Sequence, residues 1–318
     1  MKILIAEPEH YSTRALGIYR SLGEVRLGLD EGAPLAEQVS DVDILVIRLR
    51  YRVGREVIAS APNLRVVVTP TTGLDHLDLE ALEEHGVQVL SLKGETGFLR
   101  SIPATAELTW GLLLAVRRRI VPAVSSVAQG EWERDYFRGR DLKGCVMGIV
   151  GCGRIGSMIA EYAKVFGMSV LVFDRSPIEL AGVEQVSLDE LYQKSDVVSI
   201  HLPLEAETVG FVGPAAFARI KEGAVFLNTS RSGIVDEDAL MEALRSGRLA
   251  GAAVDVVSGE ETFSGRIPEG HALVDFAKNS DNLIITPHIG GASWDSMHAT
   301  EDFCAERLLA LFQSETAQ

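Results

Sequence analysis

The sequence predicts an α/β protein with two doubly wound parallel-sheet domains. Short β-branched runs alternate with amphipathic helical patterns along the 318 residues, which is typical of parallel sheets covered by helices. The length suits two domains of roughly 100 to 200 residues each. A glycine-rich turn that normally follows the first strand of its sheet comes only after four strand patterns, so we expect the earlier strands to form a separate domain.

The individual elements follow from the spacing of apolar residues. Strands are predicted at 2–6, 43–48, 65–69, 87–91, 146–150, 169–173, 197–201, 224–228, 251–256 and 283–286. Helices are predicted at 12–21, 54–60, 77–85, 155–166, 187–194, 236–246 and 294–312. A further helical stretch near 104–128 contains TAELTWGLLLAV, which is apolar on most sides, so it is expected in a core or at a domain or subunit contact.

The composition excludes several classes of protein. Hydrophobic residues make up 47% of the chain and charged residues 24%, so disorder is not expected. The net charge of −15 does not favour binding to nucleic acid or to an anionic membrane, so an anionic ligand needs a local basic cluster. The three cysteines lack metal-ligand spacing, which predicts no metal site and reduced thiols in the cytoplasm. No apolar run is long enough for a membrane span or a signal peptide.

The segment VMGIVGCGRIG places Gly151, Gly153 and Gly156 in a GxGxxG pattern between a predicted strand and a predicted helix. In such a turn the first glycine permits the tight bend, the second lets a pyrophosphate approach, and the third allows close helix packing. The pattern alone could also be a structural turn. Asp174, however, ends the next strand 21 residues after Gly153, close to the spacing of about 20 for an acid that binds ribose hydroxyls. The two features together predict a dinucleotide site.

Asp174 also bears on which dinucleotide is bound. A carboxylate accepts hydrogen bonds from the ribose 2′-hydroxyl and repels a 2′-phosphate, so NAD is favoured over NADP. The adjacent Arg175 could instead pair with a phosphate.

Three later strand ends carry polar residues where doubly wound sheets bind ligands: Arg231 in NTSRSG, Asp255 in AAVDVV and His288 in TPHIGG. Reduction of a 2-oxo acid needs a cation for the substrate carboxylate and an acid that protonates the forming alkoxide. Arg231 and His288 suit these two tasks, and Glu260 could keep the imidazole protonated until reduction. Taken singly, Arg231 could be a surface charge and His288 a structural histidine.

Together these segments resemble the D-isomer-specific 2-hydroxyacid dehydrogenase family. The matching segments are LKGCVMGIVGCGRIG, DVVSIHLPL, FLNTSRSGIVDEDAL, GAAVDVV and TPHIGGAS, with weaker similarity in REVIASAPNLRVV, GLDHLDLEAL and TAELTWGLLLA. The resemblance covers nearly the whole chain. It implies an NAD-dependent enzyme that interconverts a 2-oxo acid and a D-2-hydroxy acid.

The resemblance also assigns roles to residues. The catalytic residues it implies are Arg231, which orients the substrate, His288, the proton donor, and Glu260, the partner of the histidine. The cofactor-binding residues it implies are Gly151, Gly153, Arg154, Ile155, Gly156, Asp174, His201, Pro203, Thr229 and Asp255, the last facing the nicotinamide carboxamide. The substrate-binding residues it implies are Arg48, Thr72 and Gly73.

The family's architecture implies a Rossmann NAD-binding domain at 101–286 inserted into a flavodoxin-like substrate domain formed by 1–100 and 287–318, with the active site in the cleft. A homodimer is also expected. The rival function on the same fold is an NAD(H)-responsive corepressor, which turnover would distinguish. A formate-oxidising enzyme would be expected to have glutamine where this chain has Glu260.

Several features depart from the family pattern. Glu261 stands where a proline is usual, so it competes with Glu260 for the histidine, and 28 positions separate Glu260 from His288, enough for an extra lid or oligomer contact. TPTTGLDHLD replaces a glycine-rich loop. Arg48, Arg50, Arg52 and Arg55 fall within eight positions, and the first three would share one strand face. This cluster is either a solvated surface or a site for a second anion on the substrate, such as the phosphate of 3-phosphoglycerate.

Overall fold

The computed structural model describes residues 1–30, 32–263 and 265–316. The chain divides into two compact units, the first formed by Met1–Ile102 with Ser293–Gln318 and the second by Pro103–Ala292. The expected second boundary, at 286/287, is therefore six residues too early, because the backbone of Ile289 and Gly290 is hydrogen-bonded to Asp255 of the second unit. Ser264 of the long connection, and residues 317 and 318 of the expected substrate domain, lie outside the described residues.

The first unit contains a five-stranded parallel sheet with the order β2-β1-β3-β4-β5. This is the flavodoxin-like order, as predicted. The strands are β1 (Lys2–Ile5), β2 (Glu24–Leu27), β3 (Ile44–Val46), β4 (Val66–Val68) and β5 (Gln88–Leu90). The prediction missed β2, a short and mostly exposed edge strand in which Val25 and Leu27 alternate with two charged residues.

Helices cover both faces of this sheet. They are α1 (Thr13–Leu22), α2 (Arg55–Ala59), α3 (Leu79–Glu84), α4 (Thr96–Leu99) and α12 (Trp294–Thr316), which is named for its place in the whole chain. Side chains alternate along the strands, so that Ile3 and Ile5 join the core beneath α1 and α12, and Leu4 joins the core beneath α2 and α3. The last helix thus completes the first unit, although it is remote in sequence.

The second unit contains a seven-stranded parallel sheet with the order β12-β11-β10-β9-β6-β7-β8. The strands are β6 (Val146–Val150), β7 (Ser169–Phe173), β8 (Glu184–Gln185), β9 (Val197–Ile200), β10 (Ala224–Asn228), β11 (Leu249–Val254) and β12 (Leu283–Ile285). This order is that of a Rossmann sheet extended by one strand, as predicted. The glycine-rich turn follows β6, the first strand of this sheet in the chain.

The helices of the second unit lie on both faces of its sheet. They are α5 (Ala104–Arg117), α6 (Ile120–Ala128), α7 (Arg154–Val165), α8 (Leu188–Lys194), α9 (Pro214–Arg219), α10 (Glu237–Arg245) and α11 (Ala272–Lys278). The predicted single stretch near 104–128 is wrong, because Arg119 adopts a left-handed backbone with φ 51° that breaks it into α5 and α6. Trp110 and Leu113 of α5 are buried in the core, whereas α6 is largely exposed.

Part of the long connection after Glu260 folds as α11. Leu273 of this helix is 1% exposed, and α11 packs against α10 and β12. Its apolar side chains therefore belong to the core of the second unit rather than to a separate lid. No helix among the described residues is both long and apolar enough to cross a membrane.

Candidate active site

The parallel strands of the second unit bring the predicted residues to one edge of the sheet. The glycine turn follows β6, Asp174 follows β7, His201 follows β9, and Arg231 and Asp255 lie just beyond β10 and β11. His288 follows β12. Because the carboxyl ends of parallel strands face the same edge, residues from six segments meet there.

The surroundings of the three glycines explain why each position of the turn suits glycine. Gly151 has φ +90°, and a Cβ there would lie 2.6 Å from the carbonyl oxygen of His201. A Cβ on Gly156 would overlap the carbonyl oxygen of Gly151, so α7 could not pack so closely. A Cβ on Gly153 would meet no atom within 4 Å, which leaves that side of the turn open to a ligand. This arrangement fits a pyrophosphate.

The beginning of α7 offers donors to an anion. Gly153 precedes the helix and supplies no side-chain cap, so the first backbone N–H groups of α7 can bind a phosphate. Arg154 is the first helical residue, and burial lowers the pKa of its guanidinium. Ile155 packs on the core beside α5.

Asp174 is tied to the glycine turn through its carboxylate. One oxygen accepts a 2.9 Å bond from the backbone N–H of Cys152, and the other accepts a 3.0 Å bond from that of Ser176. These bonds fix the carboxylate while leaving lone pairs for ribose hydroxyls. The guanidinium of Arg175 lies 3.6 Å from Glu205 Oε2. A carboxylate is therefore close to the cation that could have favoured NADP.

Three further predicted residues line the same sheet edge. The Nε2 atom of His201 lies 2.8 Å from Ser199 Oγ, and burial lowers the pKa of this imidazole to about 3. The carbonyl of Pro203 accepts a bond from Thr208. Thr229 is 8% exposed, and its hydroxyl lies 2.7 Å from that of Thr109 on α5.

Arg231 is positioned by the turn that leaves β10. Asn228 holds this turn, because its side-chain amide donates to the carbonyl of Arg231 and its side-chain oxygen accepts from the backbone of Ser230. The Ser230 hydroxyl in turn donates to the carbonyl of Ile200 on the neighbouring strand. Asn228 and Ser230 were missed as supporting residues, although both stand in the NTSRSG segment.

His288 forms an ion pair or hydrogen bond with Glu260. The Nδ1 atom lies 2.8 Å from Glu260 Oε1, and the two side chains are 31% and 22% exposed. Glu261, the competing carboxylate, is exposed on the surface. The histidine's Nε2 atom is the ring nitrogen opposite this contact, so it is the one free to exchange a proton with a substrate.

Asp255 holds the backbone around His288. Its carboxylate accepts bonds from the Thr286 hydroxyl at 2.5 Å, from Ile289 N at 2.9 Å and from Gly290 N at 2.6 Å. His288 itself has a left-handed backbone with φ 53°, which is unusual for a non-glycine residue. Burial raises the pKa of Asp255. The predicted contact of Asp255 with the nicotinamide stays a prediction, and its bonds to this segment were missed although Thr286 and Gly290 belong to TPHIGG.

The predicted substrate residues of the first unit lie on loops that follow β3 and β4. Strand β3 ends at Val46, so the expected strand face shared by Arg48, Arg50 and Arg52 does not form. The Arg48 guanidinium instead contacts Glu301 at 2.5 Å. Thr72 is exposed.

In the loop after β4, the carbonyl of Gly73 accepts a 2.8 Å bond from the Thr71 hydroxyl. Among the described residues, no group of three or more His, Cys, Asp or Glu side chains is arranged to hold a metal ion.

The fold and the glycine turn define a dinucleotide-binding protein. Residues 110–290 match the family model for the NAD-binding domain of D-isomer-specific 2-hydroxyacid dehydrogenases. The chain is 34% identical to D-3-phosphoglycerate dehydrogenase of Methanocaldococcus jannaschii, covering 100% of this chain and 59% of that protein. It is 34% identical to glyoxylate reductase of Thermococcus litoralis, covering 92% and 88%.

Among solved structures, the TT0316 protein of Thermus thermophilus superposes with a TM-score of 0.86 at 34% identity, covering 99% of this chain and 97% of that one. The chain belongs to the D-isomer-specific 2-hydroxyacid dehydrogenase family. Its cofactor is NAD. It spans 59% and 54% of the length of two phosphoglycerate dehydrogenases that it matches.

Proposed function

We propose that this protein is an NAD-dependent oxidoreductase that interconverts a 2-oxo acid and a D-2-hydroxy acid. The observation that carries the proposal is the 2.8 Å contact between His288 Nδ1 and Glu260 Oε1 at the sheet edge that bears the glycine turn. An imidazole held by a carboxylate on one nitrogen can transfer a proton from the other.

The glycine turn, the amino terminus of α7 and Asp174 would hold the dinucleotide. When bound, NADH supplies the hydride that reduces the substrate carbonyl. His288 donates a proton to the carbonyl oxygen as negative charge develops there, and Glu260 stabilises the imidazolium before the transfer. In the oxidative direction, the same imidazole removes the hydroxyl proton.

Arg231 supplies the positive charge that the substrate needs. A guanidinium binds a carboxylate through two parallel hydrogen bonds and thereby fixes its orientation. It also withdraws electron density from the adjacent carbonyl, which favours hydride attack. The proposed role therefore applies to every 2-oxo acid.

Membership of the family does not fix which chemical group the substrate carries at the end away from its carboxylate. One relative is named for phosphoglycerate and another for glyoxylate, so both phosphorylated and unphosphorylated substrates occur among similar chains. A phosphorylated substrate such as 3-phosphoglycerate would require a cation for its distal phosphate. Arg48 is the residue predicted for that role.

We further propose that the protein forms a homodimer through an apolar surface on α6. Val124 is 64% exposed and Val127 is 54% exposed, and Trp132, 85% exposed, lies beside them. A contiguous exposed apolar patch of this kind is typical of a protein contact. The occupant proposed is the same surface of a second copy. A cytoplasmic location stays a prediction that rests on the three unpaired cysteines.

The test is NADH oxidation, followed by absorbance, with glyoxylate, hydroxypyruvate and pyruvate. Turnover of at least one is expected, and His288→Asn should lower kcat by about 10²-fold or more, the usual scale for a lost general acid. NADH binding, measured by fluorescence, should be nearly unchanged in the variant. Tight NADH binding without turnover of any 2-oxo acid would favour the corepressor-like alternative instead.

A further inference from the structure

We propose that His271 and Glu237 are positioning residues, which act on the reaction by holding Glu260, and that the long connection between β11 and β12 supplies the first of them. The inference rests on the proposed proton transfer by His288, and it adds the residues that fix the glutamate facing that histidine. All of these residues belong to the second unit. Two observations carry it: the bonds to the backbone of Ser258, and the dependence of the Glu260 side chain on the adjoining backbone.

The backbone of Ser258, two residues before Glu260, is held from two helices. Its N–H donates a 2.7 Å hydrogen bond to Oε1 of Glu237, the first residue of α10. Its carbonyl oxygen lies 3.0 Å from Nε2 of His271, the residue that directly precedes α11. Ser258 itself is exposed. The two side chains therefore tie an exposed loop to α10 and α11.

The contact of His271 with this loop requires a hydrogen on its Nε2 atom, because a carbonyl oxygen only accepts. The Nδ1 atom of the same ring is buried and has no hydrogen-bond partner among the residues that the structure describes. The neutral imidazole that carries its hydrogen on Nε2 is therefore sufficient. A glutamine side chain places an amide N–H group at the same number of bonds from the backbone as Nε2, whereas asparagine is one bond shorter.

The Glu260 side chain depends on the same stretch of backbone. Gly259 turns the chain with a left-handed φ of 76°, and Glu260 begins a short 3-10 turn. Glu260 Oε2 accepts a 3.3 Å bond from the backbone N–H of Val257, while Oε1 faces His288 Nδ1 at 2.8 Å. One carboxylate oxygen is thus held by the loop and the other meets the imidazole. A displacement of this backbone would move the carboxylate away from His288.

His271 also contacts the chain on the other side of Glu260. Its ring meets that of Phe263 edge-on, with ring centroids 5.9 Å apart and ring planes at 86°. Phe263 in turn packs against the core of the second unit. Edge-to-face contacts of this kind are favourable beyond the area that they bury. One imidazole therefore holds the loop both before and after Glu260.

The long connection fixes His271 through α11. Leu273 anchors this helix in the core, and the helix packs against α10, which carries Glu237, and against β12, which leads to His288. The side chains of Glu260 and His288 are 22% and 31% exposed, so their contact is not enclosed by the core. Because Coulombic attraction falls with distance, a carboxylate that drifts into solvent loses most of its effect on the imidazole. The connection thus supports the pair.

The test is the pH dependence of reduction by the full chain, measured with NADH and whichever of glyoxylate, hydroxypyruvate or pyruvate the native protein reduces. Rates are taken from a single turnover in stopped flow, so that product release does not mask the proton transfer. Reduction uses the imidazolium, which the carboxylate of Glu260 maintains to higher pH. His271→Ala should therefore move the pH of half-maximal rate down by about one unit. The dissociation constant for NADH, measured by fluorescence, should be nearly unchanged.

Two further substitutions of His271 separate its hydrogen bond from a general effect on stability. His271→Gln retains an N–H donor at the reach of Nε2 and should keep the native pH profile. His271→Asn is too short for the bond and should behave like His271→Ala. The matched control is His85→Ala in the first unit, which removes a 2.8 Å contact between a histidine nitrogen and the carbonyl of Ala81 and should leave the profile in place.

Glu237 gives an independent test of the same support. Glu237→Ala removes the acceptor for the N–H of Ser258, so the pH profile should move in the same direction as in His271→Ala. Asp238→Ala, which removes the next carboxylate along α10, is the matched control because that side chain is exposed, and the profile should not move. If His271→Ala fails to fold, Glu237→Ala decides the question alone.

A double variant tests whether His271 acts through Glu260. In Glu260→Gln the charge that the support positions is already absent, so the addition of His271→Ala should move the profile no further. A further shift as large as that in the native background would mean that His271 influences His288 by another route, which would overturn the inference.

The remaining outcomes separate the inference from the proposed function. If the native protein reduces an oxo acid and the folded His271→Ala protein has the native pH profile, the inference is wrong and the proposed function stands. A lower free energy of unfolding without a shift of the profile leads to the same conclusion, because His271 would then support the fold alone. If the native protein oxidises NADH with none of the three oxo acids, the proposed function itself is wrong.

Discussion

Asp255 Oδ2 accepts a 2.6 Å hydrogen bond from the backbone N–H of Gly290, two residues beyond His288. The other carboxylate oxygen accepts hydrogen bonds from the Thr286 hydroxyl and from the backbone N–H of Ile289. One buried side chain therefore holds the chain both before and after the histidine. The left-handed backbone of His288 is therefore fixed by Asp255, which acts on the proposed proton transfer through another residue.

The space at Gly290 gives the first prediction. A Cβ there would lie 2.9 Å from Asp255 Oδ2, so Gly290→Ala must displace the carboxylate or the backbone that it holds. Because small misplacements of a catalytic group are costly, kcat for oxo-acid reduction should fall about 10- to 100-fold. Gly291→Ala is the control, since a Cβ at that position would meet nothing within 4 Å. Equal effects of the two substitutions would contradict the role of the Asp255 contact.

The second prediction distinguishes the two adjacent glutamates. Glu260→Gln removes the charge that faces His288 Nδ1 at 2.8 Å, so the imidazolium is less stable and reduction should slow about tenfold or more. Glu261→Gln alters an exposed carboxylate and should leave the rate nearly unchanged. Steady-state kinetics at pH 7 decide the matter, and a larger loss in Glu261→Gln would reverse the assignment.

The third prediction concerns the choice of NAD over NADP. Asp174→Ser removes the carboxylate that would repel a 2′-phosphate, so the ratio of kcat/KM for NADH to that for NADPH should fall. The ratio is used because Asp174 also binds the backbone of Cys152, and its loss should slow both reactions. Equal use of the two cofactors by the native protein would count against Asp174 as the selecting residue.

The fourth prediction is a loss of stability in acid through His201. Burial lowers its pKa from 6.5 to about 3 in the folded chain, so the unfolded chain binds a proton between these pH values and the folded chain does not. Stability should therefore fall as the pH drops below 6.5. Between pH 7 and pH 5 this imidazole should account for up to about 2 kcal/mol of lost unfolding free energy.

His201→Asn should remove that part of the pH dependence. Urea unfolding of the native protein and the variant at pH 7 and pH 5 measures it. If the two proteins lose the same free energy between these pH values, the imidazole is not the group responsible.

The fifth prediction tests the proposed dimer. Val124→Asp places a charge in the apolar surface of α6 and should convert the dimer to a monomer in sedimentation experiments. Val209→Asp is the matched control, because Val124 and Val209 are both 64% exposed and only Val124 belongs to that surface. A native protein that sediments as a monomer at micromolar concentration would rule out the dimer directly.

The sequence by itself determined the secondary structure and the dinucleotide turn, which depend on residues close together in the chain. The alternation of strands and helices predicted both sheets, and GxGxxG with Asp174 predicted the dinucleotide turn, because residues a few positions apart encode these patterns. The same local signals missed the exposed edge strand Glu24–Leu27 and the break at Arg119 between α5 and α6. Val25 and Leu27 alternate along the edge strand, but four mostly exposed residues give only a short pattern. Pro122, in the first turn of α6, was a signal for the break that the prediction did not use.

Only the tertiary structure decided which charged side chains meet. His288 and the two adjacent glutamates are compatible with either pairing in sequence, and the loop after β11 selects Glu260. Arg48 was predicted either to bind a second substrate anion or to lie on a solvated surface, and the folded chain pairs it with Glu301, which is 253 positions away and 1% exposed. The physical reason is that a charged side chain is neutralised only if the folded chain places an opposite charge within a few ångströms of it. Contacts between residues far apart in the chain produce no periodic pattern in the sequence, so sequence reasoning could not predict them.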